Sequence, residues 1–218
     1  MADLLGNLAQ ITAVSLYVSG ASTFLAAAIG VPLGAYIAMR EFAGRGLVKA
    51  FTYTLYGFPP VLAGLLVYMG LSRQGPLGAL GLLYSPPGMI LAQTLLIVPL
   101  ITGVTITAVS SVDREVRDTA RALGAEGWPL VRTVLSEARK GVVTAVMVGF
   151  GRAISEVGAV LMVGGNLKGE TQVLTTAIYE NTRLGEFSTA IALGLLLLTI
   201  SFLIFFLLFR FQERADDA

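Results

Sequence analysis

Two oppositely charged residues, Arg152 and Glu156, lie within an apolar stretch that runs from about residue 141 to residue 163. Residues four apart share one face of a helix, so the two side chains are placed to form an ion pair. A charge near the middle of a bilayer costs at least ~2.5 kcal/mol, so both are expected to contact protein or water. Two interpretations stay open. The pair, with Ser155 beside it, lies next to a path for a solute, or it locks this helix to its neighbours.

The composition excludes most catalytic chemistry. Among the 218 residues there is no histidine and no cysteine, which removes imidazole bases, thiolate nucleophiles, disulfides and the commonest zinc ligands. No Gly-x-x-x-x-Gly-Lys-Ser/Thr sequence is present to cradle a nucleotide phosphate. Nor do we find a nucleophile–base pair or a pair of carboxylates suited to acid–base work. We therefore expect no enzyme, and no metal site or cofactor in this chain.

Lipid is the expected surroundings of most of the chain. Hydrophobic residues make up 55% and charged residues only 13%, against about 25% charged in a soluble domain. Five stretches are long and apolar enough to span a bilayer, which takes about 20 residues of helix. Prolines 59 and 60 interrupt the second and Pro99 lies in the third, so both are expected to bend. The stretches are 8–39, 47–71, 88–109, 141–163 and 189–209.

The basic residues are divided unequally between the two sides that these spans define. One set of loops holds eleven of them and the other holds three, while Arg152 lies inside the fourth span. Because cytoplasmic loops carry the excess of Lys and Arg, the bias predicts an outer N-terminus, an inner C-terminus and a cytoplasmic loop over residues 110–140. The eleven are Arg40, Arg45, Lys49, Arg114, Arg117, Arg121, Arg132, Arg139, Lys140, Arg210 and Arg214, and the three are Arg73, Lys168 and Arg183.

No signal segment, internal repeat or separate soluble domain is visible, so residues 1–218 are expected to form one all-α membrane domain with a short polar tail. The 110–140 loop is polar and yet patterned like helix. Val112, Val116, Ala120 and Leu123 recur at helical spacing. Gly124 interrupts the pattern, and a second helix is expected from about Glu126. The alternative is an amphipathic linker that lies on the membrane surface.

This loop carries a recognisable motif. Asp118, Ala120, Gly124 and Val134 stand at the spacing of the cytoplasmic loop of ATP-binding-cassette importer permeases, which begins Glu-Ala-Ala, has a Gly four residues after the last Ala, and ends hydrophobic-then-Pro. The chain departs from that pattern at Thr119 and again at residues 136–137. On this motif the chain resembles the permease subunits of these importers.

The resemblance implies a type I permease fold in the cell (inner) membrane, with two cytoplasmic ATPase subunits and an external solute-binding protein. A homodimer is expected because five helices enclose no path alone. ATP and Mg would be bound by the ATPases, and no nucleic acid is involved. It also implies that the loop forms a coupling helix that docks on an ATPase. Gly124 would allow the turn, and Trp128 would be an apolar anchor or, alternatively, a headgroup-level anchor. The remaining residues assigned to the coupling loop are Arg121, Glu126 and Pro129, with Arg132 as a contact to acidic rims.

A second resemblance concerns the cargo. The segments Gly-Arg-Ala-Ile-Ser-Glu-Val-Gly-Ala at residues 151–159 and Val-Gly-Gly-Asn at residues 163–166 resemble oxyanion permeases for molybdate, tungstate and sulfate, most of all the tungstate type. A tetrahedral dianion needs neutral N–H and O–H donors and limited positive charge. The candidate donors are Asn166, Thr171 and Thr175, although hydroxyls in membrane helices often bond back to their own carbonyls.

Two other classes compete with the importer permease. One is a stand-alone channel or secondary transporter, which would usually show inverted repeats, and none is visible here. The other is a structural membrane protein, which has no need of the loop motif. The outer region over residues 164–188 is expected to be partly re-entrant and partly a docking surface for the binding protein, with a plain solvated loop as the alternative.

Overall fold

The computed structural model describes the backbone of residues 2–214 and the side chains of residues 6–210, 212 and 213, so the end of the predicted polar tail lies outside the described residues. This part of the chain is mostly helical and contains no strand. The α-helices are α1 Ala2–Met39, α2 Arg45–Thr54, α3 Pro60–Leu71, α4 Pro86–Ser110, α5 Arg114–Ala122, α6 Trp128–Glu137, α7 Arg139–Ile154, α8 Gly158–Gly164, α9 Leu174–Arg183 and α10 Phe187–Arg214. Short 3-10 turns cover Leu55–Gly57 and Gly78–Leu80.

Three of these helices are long and apolar enough to cross a bilayer by themselves, namely Gly6–Met39, Pro86–Ser110 and Phe187–Arg210. Two further candidates are broken pairs, Arg45–Gly57 with Pro60–Leu71 and Arg139–Ile154 with Gly158–Gly164. The described chain therefore has three to five candidate spans, and each coincides with one of the five predicted stretches.

The two prolines at 59 and 60 break the second stretch, as expected from the missing amide hydrogen of proline. Pro99, in contrast, lies inside α4, which continues from Pro86 to Ser110 as one helix. The fourth stretch is broken between Ile154 and Gly158, where the sequence has no proline and where we did not predict a break.

Contacts divide the chain into two compact units, one drawn from Met1–Phe24, Phe58–Ile97 and Phe150–Ala218 and the other from Leu25–Gly57 and Val98–Gly149. In the first unit, α3 packs closely on α8. A Cβ atom added at Gly64 would lie 2.8 Å from the Cα atom of Ala159, so only glycine allows this approach. Val18, Met89, Val160 and Val173 belong to one buried apolar cluster in this unit.

In the second unit, the 110–140 loop packs against the ends of α1 and α4. The cluster joins Ala38 of α1 and Val109 of α4 with Val112, Val134 and Ala138 of the loop region. Two arginines cap helix ends in the same unit. Arg45 donates to the carbonyl oxygens of Ile37 and Ala38, and Arg117 donates to that of Val109. These bonds add side-chain donors to carbonyls in the last turn of each helix, where helical N–H partners run out.

Candidate functional site

The break between α7 and α8 brings charged and polar side chains together within a candidate span. The two helices bend by 58° there. A helix that ends inside a membrane leaves N–H and C=O groups without helical partners. Because lipid offers no hydrogen bonds, the protein must supply them. The break therefore costs free energy unless nearby polar side chains form hydrogen bonds with its exposed N–H and C=O groups.

Three buried side chains do so. A carboxylate oxygen of Glu156 accepts from the backbone N–H of Ala159 at 3.0 Å. The Nε2 group of Gln93, on α4, donates to the carbonyl of Ala153 at 2.9 Å. The hydroxyl of Thr175, on α9, donates to the carbonyl of Glu156 at 2.8 Å. The hydrogen-bonding side chains come from α4, from α9 and from the break itself, so tertiary contacts stabilise the interruption of the helix.

The charged pair lies at this break, with Arg152 in the last turn of α7 and Glu156 in the break itself. Nη1 of Arg152 is 2.7 Å from Oε2 of Glu156, and the Glu156 side chain is 2% exposed while that of Arg152 is 33% exposed. Both carboxylate oxygens of Glu156 are thus engaged, one by Arg152 and one by Ala159. Arg152 has five N–H groups, and among the described residues only one hydrogen bond is recorded for it. Its side chain is partly exposed and keeps N–H donors without a described partner, and we call this exposed side the open side of the break.

Ser155 lies on that open side. Its side chain is exposed, and its hydroxyl donates to the carbonyl of Gly151 at 2.8 Å, so its oxygen is free to accept. Arg152 and Ser155 are three residues apart and both present polar surface. Polar surface within a membrane span must face water or protein. The open side of the break is therefore the candidate place for a solute path or for contact with a second copy of the chain.

The three predicted oxyanion donors are all engaged within the chain. Thr175 bonds to the break, as described above. The Thr171 hydroxyl donates to the carbonyl of Gly164 at 2.6 Å and accepts from the N–H of Leu167 at 2.9 Å. The Nδ2 group of Asn166 donates to Glu180 at 2.9 Å. The structure thus brings only Thr175 to Arg152 and Glu156, while Asn166 and Thr171 organise the connection between α8 and α9.

Glu180, on α9, is the centre of that connection. Besides Asn166, it accepts from Nε2 of Gln172 at 2.6 Å and lies 3.4 Å from Nζ of Lys168. The first turn of α9 is buried, so residues 164–188 contain a packed helix and not only loop. The roles of Gln93 and Glu180 escaped sequence analysis, because a single Gln or Glu carries no pattern. The only signal was a polar residue, Gln93, within an apolar stretch.

The predicted coupling loop forms a helical hairpin of α5 and α6. Gly124 has φ of +84°, and its N–H bonds to the carbonyl of Arg121 while that of Ala125 bonds to Ala120. This pair of bonds is the Schellman arrangement, which needs a left-handed residue at the position of Gly124. Pro129 lies in the first turn of α6, where proline costs little.

The hairpin has a packed side and an open side. Ala120 and Val134 are buried. Asp118 and Arg121 form an exposed pair at 3.4 Å, and Glu126 is also exposed. Trp128 is 72% exposed and Leu123 is 83% exposed, so two large apolar side chains face outward beside the turn. Leu123 therefore departs from the inward stripe formed by Val112, Val116 and Ala120.

Solved structures share this fold. An inward-facing methionine ABC transporter gives a TM-score of 0.81 at 20% identity, covering 98% of each chain. A bacterial ABC transporter involved in the import of alginate gives a TM-score of 0.76 at 20% identity, covering 95% of this chain and 79% of that chain. The fold is therefore that of a type I ABC importer permease.

The sequence comparison then places the chain in its family. Residues 30–217 match the family of binding-protein-dependent transport system inner membrane components, so the chain belongs to that family. It is 45% identical to a probable anion ABC transporter permease of Haloferax volcanii, over 95% of this chain and 91% of that protein. It is 41% identical to the tungstate uptake system permease of Peptoclostridium acidaminophilum, over 92% and 88%. More distant is a molybdenum transport permease of Azotobacter vinelandii, 26% identical over 90% of each. The chain is thus a non-catalytic, membrane-embedded permease subunit.

Proposed function

We propose that this chain is the permease of an importer for a tetrahedral oxyanion, with tungstate as the first candidate and molybdate or sulfate as alternatives. The observation that carries the proposal is the 41% identity to a tungstate uptake permease over 92% of the chain. Transport would proceed by alternating access, driven by ATP hydrolysis on partner subunits that bind ATP and Mg.

The proposed assembly is a homodimer of chains with five spans each, an outer N-terminus and an inner C-terminus. It would bind two ATPase subunits inside and a solute-binding protein outside. The excess of basic residues on the loops assigned to the inside supports this orientation. A homodimer is supported because the polar side of the break needs a protein or aqueous neighbour.

We propose that the hairpin of α5 and α6 is the coupling element. Its support is the combination of a packed side, built on Ala120 and Val134, with an open side that exposes Leu123 and Trp128. Large apolar side chains of this kind supply much of the energy of protein interfaces. Movement of a docked ATPase would be carried to α1 and α4 through the apolar cluster around Val134.

Replacing Trp128 with alanine is expected to weaken association with the ATPase by about 2 kcal/mol, or roughly thirtyfold in Kd, since buried Trp anchors are worth this much at interfaces. The measurement is the affinity of purified ATPase for the permease in lipid nanodiscs. Phe187→Ala is the matched control, because Phe187 is 61% exposed and lies outside the hairpin. Equal affinity in both variants would instead favour a headgroup anchor for Trp128.

For the anion path, we propose that Arg152 and Ser155 face the passing anion. Both have exposed polar surface within a span. Thr175 and Glu156 are proposed to act through the geometry of the break, because each is buried and engaged there. Asn166 and Thr171 remain candidate donors in a conformation in which their present internal bonds are exchanged.

The test is competitive uptake by cells that express the whole transport system, compared with cells that lack only this chain. Tungstate, molybdate and sulfate are supplied at low, equal concentrations, and metal and sulfur are counted by mass spectrometry. Loss of tungstate accumulation supports the proposal, and loss of only molybdate or sulfate changes the cargo. No change in any of the three contradicts an oxyanion cargo. Uptake that survives ATP depletion would favour a channel or secondary transporter.

A further inference from the structure

We infer that Arg152 is a transient anion-binding group, and that Glu156 is the buried counter-charge that keeps its hold on the anion weak. The inference rests on the proposed function and extends it to the residue that sets how readily the anion leaves. It concerns the exposed side of the α7–α8 break. There the Arg152 guanidinium, which keeps N–H donors without a described partner, contacts the buried Glu156 carboxylate.

The hydrogen bonds give the two residues different tasks. Glu156 is buried and has both oxygens occupied, by Nη1 of Arg152 at 2.7 Å and by the N–H of Ala159 at 3.0 Å. Because its side chain is only 2% exposed, it is hardly accessible to a further partner. Arg152 is 33% exposed and keeps N–H groups that no described residue engages, which suits a planar donor for an oxyanion.

The charges explain why a carboxylate belongs in an anion path. A lone guanidinium in a low-dielectric passage would hold a dianion strongly, because Coulomb attraction grows as the dielectric constant falls. Passage requires binding that is favourable enough to enter and weak enough to leave. Glu156 cancels the net charge and leaves the N–H donors of Arg152 in place. Arg152 paired with Glu156 therefore offers hydrogen bonds to the anion without strong net electrostatic attraction.

Glu156→Gln separates this role from that of a helix cap. The glutamine carbonyl oxygen is able to accept from Ala159 as the carboxylate does, so the break keeps its internal bond. The amide has no charge, so Arg152 loses its compensation. We expect the variant to retain at least roughly tenfold more tungstate, molybdate or sulfate at low concentration than the wild type, and to release it more slowly.

The experiment uses the permease assembled with its ATPase in nanodiscs, with bound anion measured by equilibrium dialysis and stability by thermal unfolding. The double variant Arg152→Met, Glu156→Gln should lose the extra binding. Gln93→Leu serves as the structural control and should gain none. It removes the bond to the carbonyl of Ala153 and the bond accepted from the Ser22 hydroxyl without changing charge. A stable Glu156→Gln protein that binds no more anion than wild type overturns the inference. So does equal gain in Gln93→Leu.

A second variant tests the inference if the Glu156→Gln protein does not fold. Ser155→Lys adds an uncompensated positive charge on the exposed side and disturbs only bonds to the carbonyls of its own helix. It should also increase anion retention, and no increase would contradict the inference. Because binding is measured without transport, the two proposals fail separately. Absence of oxyanion uptake by wild type would refute the cargo, while retention by the variants would still support the anion site.

Discussion

Replacing Gly124 with tryptophan is expected to reduce uptake by roughly tenfold or more, because a docking contact worth ~1.4 kcal/mol changes an equilibrium tenfold. ATP hydrolysis by the partner should persist. Gly124 has φ of +84°, and a Cβ atom there would meet nothing within 4 Å. The side chain would therefore project outward beside Leu123 and Trp128, into the proposed docking surface. The left-handed conformation adds about 1 to 2 kcal/mol of strain, too little to unfold the chain.

The matched control is Gly44→Trp. Gly44 has φ of +86°, also has open space around a Cβ atom, and lies in the same compact unit but outside the hairpin. The strain is thus the same in both variants, and only the position differs. Uptake and ATP hydrolysis are measured in proteoliposomes that contain equal amounts of assembled permease. Normal uptake by Gly124→Trp would show that the coupling assignment is wrong, and equal loss in both variants would point to strain alone.

Replacing Arg152 with methionine is expected to destabilise the permease by about 3 kcal/mol and to abolish uptake. The loss of Arg152 leaves Glu156 as a buried charge without its partner, and breaking a buried pair in this way costs about 3 to 5 kcal/mol. We expect the lower end because Arg152 is 33% exposed. The measurement is thermal unfolding of the purified permease in nanodiscs, combined with uptake in cells.

The double variant Arg152→Met, Glu156→Gln distinguishes a path residue from a structural lock. It removes both charges and keeps an acceptor for the N–H of Ala159, so most of the lost stability should return. If Arg152 contacts the anion, uptake should remain low although the protein is stable. Recovery of uptake together with stability would mean that the pair only locks the helix, and would contradict an anion path along this side.

Local features of the α5–α6 hairpin were predictable from sequence. The interruption at Gly124 and the position of Pro129 in the first turn of the second helix were both expected, and the structure confirms both. These features depend on backbone preferences of single residues and their immediate neighbours. The outward position of Leu123, at 83% exposure, was not expected. Leu123 is the C-cap residue of α5 and still donates its N–H to the carbonyl of Thr119, so helical spacing alone did not predict whether its side chain would be covered.

The sequence by itself determined that lipid surrounds most of the chain and that Arg152 is able to pair with Glu156. Long apolar stretches require lipid, and the four-residue spacing of Arg152 and Glu156 predicts an ion pair. The pair forms although α7 ends at Ile154 and Glu156 lies in the break. Only the tertiary structure decided that the helix breaks beside this pair, because the break is stabilised by Gln93 and Thr175, which lie 60 residues before and 19 residues after the carbonyls they bond. The hydropathy of a segment indicates whether lipid or water surrounds it. It carries no information on which distant side chain reaches a freed carbonyl, and that contact makes the discontinuity possible.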